Sequence, residues 1–277
     1  MASRKRQRKR FLGKSLSNIY ACLVYAFIYI PIAVMVAFSF NDQKTNYYWK
    51  GFTLRWYEKL FTNSSVTEFF WNSLYIAIVA TVISVIIGTI GALGLMRFEF
   101  RLKKLISNSL YIPIVIPEVV LGLSLLMLFE IIHLPLGFMT IILSHATFCI
   151  PFVIVIMRGR LAGMDLSVEE ASMDLGANRL VTFFRVTLPM MIPGIVSGAF
   201  MSFTLSIDDV IISNFVSGPY STTLPVKILS LVKTGLSPEI NALTTIMIAV
   251  ILLGLFINSA AQAFMRKRAL THIKSYF

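Results

Sequence analysis

Charge is scarce in this chain. Only 14% of its 277 residues are Asp, Glu, Lys or Arg, and 57% are hydrophobic, against about 25% and about 45–50% in soluble domains. That leaves too little polar surface to keep a globule of this size in water, so a cytosolic enzyme is excluded. Abundant Phe, Ile, Leu and Val exclude a disordered chain. Cysteine is rarer still. Cys22 and Cys149 both lie in apolar runs and read as small buried hydrophobes, with neither a disulfide framework nor a metal site indicated. The three histidines, His133, His145 and His272, are scattered, and no H-E-x-x-H occurs. Gly13-Lys14-Ser15 has Arg8 where a phosphate-binding loop needs its upstream glycine. No G-x-S-x-G elbow is present either, so an intramembrane enzyme has little support. The class that remains is an integral membrane protein.

What the chain does have is long apolar runs. Six stretches approach the roughly 20 residues a helix needs to cross a bilayer: 19–40, 69–95, 105–129, 138–157, 190–206 and 240–265. After the fifth, apolar character resumes at 210–216 beyond an acidic interruption. Alternating ten-residue segments do not recur, which argues against a β-barrel. Backbone groups in lipid need internal partners, so the expected fold is all-α, a polytopic bundle of six transmembrane helices. The basic tail and first run look like a signal peptide, but the run is too long and no A-x-A site follows it, so a retained signal-anchor helix is expected. His145 falls in the fourth stretch and reads as a satisfied structural histidine.

The basic residues sort by side. Seven lie in the N-terminal tail and four each in the 2–3 connection, the 4–5 connection and the C-terminal tail, nineteen in all; the remaining six of the 25 are on the other side. Five of the 13 carboxylates accompany the nineteen, and eight lie outside or within spans. The positive-inside rule puts both termini in the cytoplasm of a multi-pass protein of the cytoplasmic membrane. The net charge of +12 is thus a topology and anionic-lipid signal rather than a nucleic-acid footprint. The domains expected are a basic tail at 1–18, a six-helix transmembrane domain at 19–265 and a second tail at 266–277.

The cytoplasmic 4–5 connection, 166–189, is the most informative segment. Ser167 and Glu170 have capping-box spacing, which predicts a helix from Val168. Gly176 is placed to end it in a left-handed cap. A second short helix is expected over 178–186, with Pro189 introducing the fifth span.

Glu118 follows Pro113 and Pro117. Pro117 is expected to break the third span and leave Glu118 in the first turn of the next half, where the helix dipole favours an anion. Asp208-Asp209 falls about 27 Å along the helix from Met190, near its outer end. Each admits a bland reading, as a capping carboxylate or the mark of a helix end, beside a role in attracting cations. Trp56 sits among Tyr47, Tyr48, Trp49 and Tyr57 in an external loop, as an interfacial aromatic or as a cation–π partner for an amine.

The 4–5 segment resembles the EAA motif of ABC importer permeases, E-A-A-x3-G-x9-I-x-L-P. Glu170 and Ala171 match, Ser172 replaces the second alanine, and Gly176, Leu188 and Pro189 keep their spacing, with Val186 in the isoleucine place. From about residue 11 to 265 the chain resembles the spermidine/putrescine permeases of PotC type. Ser144-His-Ala-Thr-Phe-Cys-Ile-Pro-Phe-Val, Ser202-Phe-Thr-Leu-Ser-Ile-Asp-Asp-Val, Leu224-Pro-Val-Lys-Ile and Ser237-Pro-Glu-Ile-Asn-Ala-Leu carry that likeness. The resemblance implies a type I ABC importer permease fold with cytoplasmic coupling helices. It implies a transport subunit rather than an enzyme, with no cofactor of its own and no metal, ATP and Mg being held by partner ATPase subunits. The implied partners are a second homologous permease, two ATP-binding subunits, an extracytoplasmic polyamine-binding protein and the lipid bilayer, with no nucleic acid. It assigns coupling to Glu170, Ala171, Ser172, Gly176, Leu188 and Pro189, and substrate passage to Trp56, Glu118, Ser206, Asp208 and Asp209. Permeases for thiamine, iron and sulfonates share parts of the pattern, and a secondary transporter and an intramembrane enzyme are the more distant rivals.

The topology is testable by thiol labelling. In a chain freed of Cys22 and Cys149, single cysteines at Asn63 and Asn178 are expected to react from opposite sides of the membrane. Labelling of both from one side overturns the orientation.

Overall fold

The computed structural model describes residues 2–43, 48–63, 65–232, 238–250, 252–253 and 256. Its elements are helices: α1 (Ala2–Phe38), α2 (Arg55–Asn63), α3 (Ser65–Arg97), α4 (Lys103–Ser109), α5 (Ile112–Val115), α6 (Glu118–Ile131), α7 (Phe138–Ala162), α8 (Ser167–Asp174), α9 (Arg179–Thr182), a π turn (Phe183–Thr187), α10 (Leu188–Ile207), α11 (Ile211–Val216) and α12 (Leu224–Val232), followed by α13 (Pro238–Val250). Among the described residues there is no strand, only an isolated bridge between Asn41 and Phe52. Among the described residues four helical stretches are long and apolar enough to cross a membrane, five when the bent pair is counted as one span. Of the sixth expected span, α13 covers the beginning, and most of 251–265 lies outside the described residues, as does the tail at 266–277.

The chain divides into two units, residues 1–66 with 234–277 and residues 67–233. In the first, α1 runs into a short loop fastened by polar contacts. The Ser39 and Tyr57 hydroxyls lie 2.6 Å apart. The Asn41 side chain donates to the Tyr48 carbonyl and accepts from Lys50 N, each at 2.8 Å. Lys59 pairs with Glu239. Cys22 is exposed on α1 rather than buried. An apolar side chain gains as much from lipid as from a protein core, so burial was the wrong expectation for that helix.

In the second unit, α7 is the central helix. Two clusters of buried side chains surround it. One contains Ile76, Phe129, Ile141, Cys149, Ile212 and Val216. The other joins Ala92 and Leu95 of α3 to Val153, Met157 and Leu161 of α7 and Met191 of α10. Val153, fully buried, enters notches at Gly88 of α3 and Gly198 of α10: a Cβ at those glycines would lie 2.7 and 3.2 Å from its side chain. Small residues let membrane helices approach until dispersion contacts accumulate, which matters where lipid removes the hydrophobic drive between helices.

The third span, expected over 105–129 with a break at Pro117, is broken there. Its halves, Lys103–Val115 and Glu118–Ile131, meet at 109°. The cause is local: Pro117 withholds an N–H, and Ile116 before it is extended (φ −64°, ψ 134°) as a pre-proline residue should be. The fifth span, expected over 190–206, is longer and starts earlier. It is helical from Arg179 through the π turn to Ile207, so the second helix expected over 178–186 forms but runs on into the fifth span without a break. Pro189 has no N–H for the Arg185 carbonyl, and the wider turn before it carries the helix past the proline.

Gly218 makes a close approach that only glycine permits. A Cβ there would lie 2.2 Å from the Leu136 carbonyl oxygen, whereas one at Gly94 of α3 meets nothing within 4 Å. Gly218→Ala is therefore expected to destabilise the chain by about 1–3 kcal/mol through overpacking. Gly94→Ala is expected to be neutral or to stabilise by up to about 1 kcal/mol through helix propensity. Thermal midpoints of the purified variants in detergent check the contrast.

Candidate functional site

Two places gather polar groups that the packing of an apolar bundle does not need. The first is the connection between α7 and α10. α8 begins at Ser167, one residue before the expected start, and the expected capping box does not form. Asp165 Oδ1 accepts from Ser167 N at 2.9 Å instead, and these bonds hold the Asp165 carboxyl below its usual range. Gly176 does end α8 in the left-handed region, with φ +91°. Gly176 N donates to the Met173 carbonyl and Ala177 N to that of Ser172, the double closure of a Schellman turn. Asn178 then caps α9, its Oδ1 accepting from Val181 N at 2.9 Å. The Ser172 and Thr182 hydroxyls, 3.2 Å apart, brace one arm on the other.

This knob is tied to the C-terminal end of α3. Arg97 binds Glu169 through both guanidinium nitrogens, one donating at 2.9 Å. Burial pushes the Glu169 carboxyl up, but hydrogen bonds from Arg97 and Thr187 and the Arg97 charge outweigh it and hold the carboxyl below its ordinary value. A depressed folded pKa contributes stability in full above the unfolded value of about 4.3 and loses it as pH falls through the lower one. The pair is partly exposed, so its worth is about 0.5–1 kcal/mol. Beside it opens a cavity of about 500 Å³ lined by Leu93, Met173, Arg179 and Phe183 among others. Glu170, Ala171, Gly176 and Pro189 are exposed, and Ser172 and Leu188 are half-buried. Leu175, Leu180 and Phe184 are apolar and strongly exposed on the same segment.

The second place is the break between α10 and α11. Asp208 closes α10 and is exposed. Asp209 is buried, and its carboxylate accepts from Ser213 N at 2.7 Å and Ile212 N at 3.3 Å, capping α11. His145 of α7, also buried, sets Nε2 3.2 Å from Asp209 Oδ2 and 3.0 Å from Ser213 Oγ. Its Nδ1 is 2.7 Å from Ser206 Oγ. An ionised carboxylate only accepts, so Nε2 carries the proton; in the neutral ring, Nδ1 then accepts from the Ser206 hydroxyl. α11 packs on α6, and both aspartates lie within electrostatic reach of exposed Glu118 at the start of α6.

Ser206, Asp208, Asp209 and Glu118 are therefore brought into one region. Trp56 lies in the other unit. It is buried, donates from Nε1 to the Asn41 carbonyl at 2.8 Å, and has the Arg55 guanidinium 4.6 Å from its ring centroid. The ring is a post of its loop, and the cation at its face is supplied by the neighbouring residue. Tyr47 of the same loop lies outside the described residues. Sequence reasoning missed the Arg97–Glu169 pair and the partners of His145. Those partners stand 61 to 72 residues apart in the chain, beyond any local spacing rule.

Comparison with known proteins agrees with this architecture. The chain is 44% identical over 233 residues to the spermidine/putrescine transport system permease protein PotC of Haemophilus influenzae, covering 84% of this chain and 91% of that protein. It is 40% identical over 237 residues to the protein of the same description from Escherichia coli K12, covering 86% and 90%. It is 42% identical over 236 residues to the putrescine transport system permease protein PotI of Escherichia coli K12, covering 83% and 84%. Its fold is similar to that of a chain in a bacterial ABC transporter involved in the import of alginate, with TM-score 0.68 at 15% identity, covering 90% of this chain and 96% of that one. Residues 84–270 match the family described as binding-protein-dependent transport system inner membrane component. The chain belongs to that family of membrane-embedded transport permeases.

Proposed function

We propose that this chain is the permease subunit of an ATP-driven importer that carries polyamines, spermidine or putrescine, across the cytoplasmic membrane. The supporting observation is the likeness, over more than four-fifths of the chain, to permeases of spermidine/putrescine and putrescine transport. The gathering of Glu118 and Asp208 beside the α10–α11 break adds to it. A polycation leaving a binding protein loses carboxylate partners, and bare lipid would cost it several kcal/mol per charge at least. The permease must offer replacements weak enough to release it. Two exposed carboxylates, one at a helix start and one at a helix end, meet that need without forming a closed cage.

The subunit works in an assembly. A second homologous permease completes the pathway, an external polyamine-binding protein delivers substrate, and two ATP-binding subunits hold ATP and Mg. Both termini are cytoplasmic in this reading. The segment from α8 through Pro189 docks on an ATP-binding subunit, with Glu170, Ala171, Ser172, Gly176, Leu188 and Pro189 forming or shaping the contact. Exposed Leu175 and Leu180 supply apolar area for it. ATP binding closes the ATPase pair, the knob follows as a rigid body, and the bond between Glu169 and Arg97 passes the movement to α3.

Two measurements test this reading. Glu118→Gln and Asp208→Asn keep shape while removing charge, so each is expected to lower polyamine uptake severalfold in reconstituted complexes supplied with saturating binding protein, at unchanged membrane abundance. Wild-type uptake in both would make these carboxylates structural. Gly176→Pro forces φ to about −65° where +91° is required. It is expected to leave insertion intact and to abolish both transport and the stimulation of ATPase activity by loaded binding protein. Normal stimulated activity would remove the knob from the coupling path.

A further inference from the structure

We propose that His145 is a positioning residue for transport: it holds Asp209 inside the protein as the cap of α11, so that Asp208 alone of the adjacent pair meets the cationic substrate. The inference rests on the permease reading above and divides a pair of aspartates that the sequence presents as equivalent.

The two carboxylates differ in everything but neighbourhood. Asp208 ends α10 and is exposed. Asp209, one residue on, is 8% exposed. Two backbone N–H groups, of Ile212 and Ser213, and the imidazole Nε2–H converge on it. Those N–H groups belong to the first turn of α11 and would otherwise be orphaned by the helix break. An ammonium group seeking Asp209 would have to displace donors that the fold cannot leave unpaired.

His145 is the hub of this arrangement. One ring reaches Ser206 on α10, Asp209 in the break and Ser213 on α11, while itself standing on α7. It therefore fixes the angle at which α10 hands over to α11, and with it the place from which Asp208 projects. Glu118 lies close by, on α6, against which α11 packs. The region thus presents an outward pair, Asp208 and Glu118, supported by an inward set that does not touch substrate.

The test separates positioning from contact. Complete importer complexes in proteoliposomes, given saturating loaded binding protein, are assayed for initial uptake of a diamine and of a triamine. Wild-type uptake is read first; its absence overturns the permease reading and this inference with it. Asp208→Asn is expected to shift the diamine-to-triamine ratio by about threefold, because a contact charge weighs differently against two and three positive charges. Asp209→Asn and His145→Phe are expected to lower both rates by a common factor of about ten, leaving the ratio unchanged, as fits loss of a buried charge-assisted bond. His145→Gln keeps an N–H donor near the Nε2 position and is expected to recover to within about threefold of wild type. With wild-type uptake present, the inference alone is overturned by any of three results: a ratio shift in Asp209→Asn or His145→Phe like that of Asp208→Asn, wild-type rates in His145→Phe, or no rescue by Gln. Should His145→Phe fail to assemble, the ratio in Asp209→Asn decides the matter, an unchanged value supporting the inference and a shifted one overturning it.

Discussion

A peptide N–H or C=O inside hydrocarbon has no water to bond, so the chain must satisfy it or lose several kcal/mol per group. That constraint makes the spans of this protein helical, and it also governs where they stop. The chain leaves helical geometry within its apolar region at Ile116–Pro117 and between Asp208 and Val210. At the first break, proline removes one donor and the next helix begins with Glu118, where the dipole favours its charge. At the second, Asp209 takes the freed N–H groups of Ile212 and Ser213. The carboxylate is itself expensive to bury, and the imidazole N–H of His145 offsets that penalty.

The same places gather the groups suited to a cation. A helix that never breaks hides its backbone dipoles and gives a charged solute nothing to approach. A break needs polar side chains to be tolerated, and once present they need not all be saturated. Asp209 is saturated by its three donors, whereas Asp208 and Glu118 are exposed. Structural necessity and solute recognition thus share one stretch of chain without sharing the same oxygen atoms.

Around this polar region the packing is close. Val153 fills the space left by Gly88 and Gly198, and Arg160 of α7 donates twice to the Met190 carbonyl of α10 at 2.8 and 2.6 Å. α7 and α10 are held at both levels, by dispersion in the apolar part and by charge-assisted bonds where α7 ends and α10 begins. The knob that follows is rigid for different reasons: a left-handed glycine, an Asn cap and the paired Ser172 and Thr182 hydroxyls. Its link to α3 through Glu169 and Arg97 makes it an extension of the bundle.

Much of this was legible in the residues alone. Apolar run length marked the spans, because the bilayer sets a length that composition must match. Pro117 announced the break before Glu118, and Gly176 announced the left-handed turn, because both effects are steric and act within one or two residues. The capping box at Ser167 failed although its spacing was right, since Asp165 stands close enough to compete for the same backbone N–H. The partners of Trp56 and Asp209 were not legible for a similar reason: the residue type states what a side chain can bond, and packing decides what it does bond. Arg55 lies over the indole, and His145 reaches Asp209 from a helix 64 residues earlier. The sequence by itself determined which segments are helical and where they break, because these follow from local sterics and from transfer between water and lipid. Only the tertiary structure decided which of two adjacent aspartates is capped and which is open, because that depends on a hydrogen-bond donor carried in by another helix.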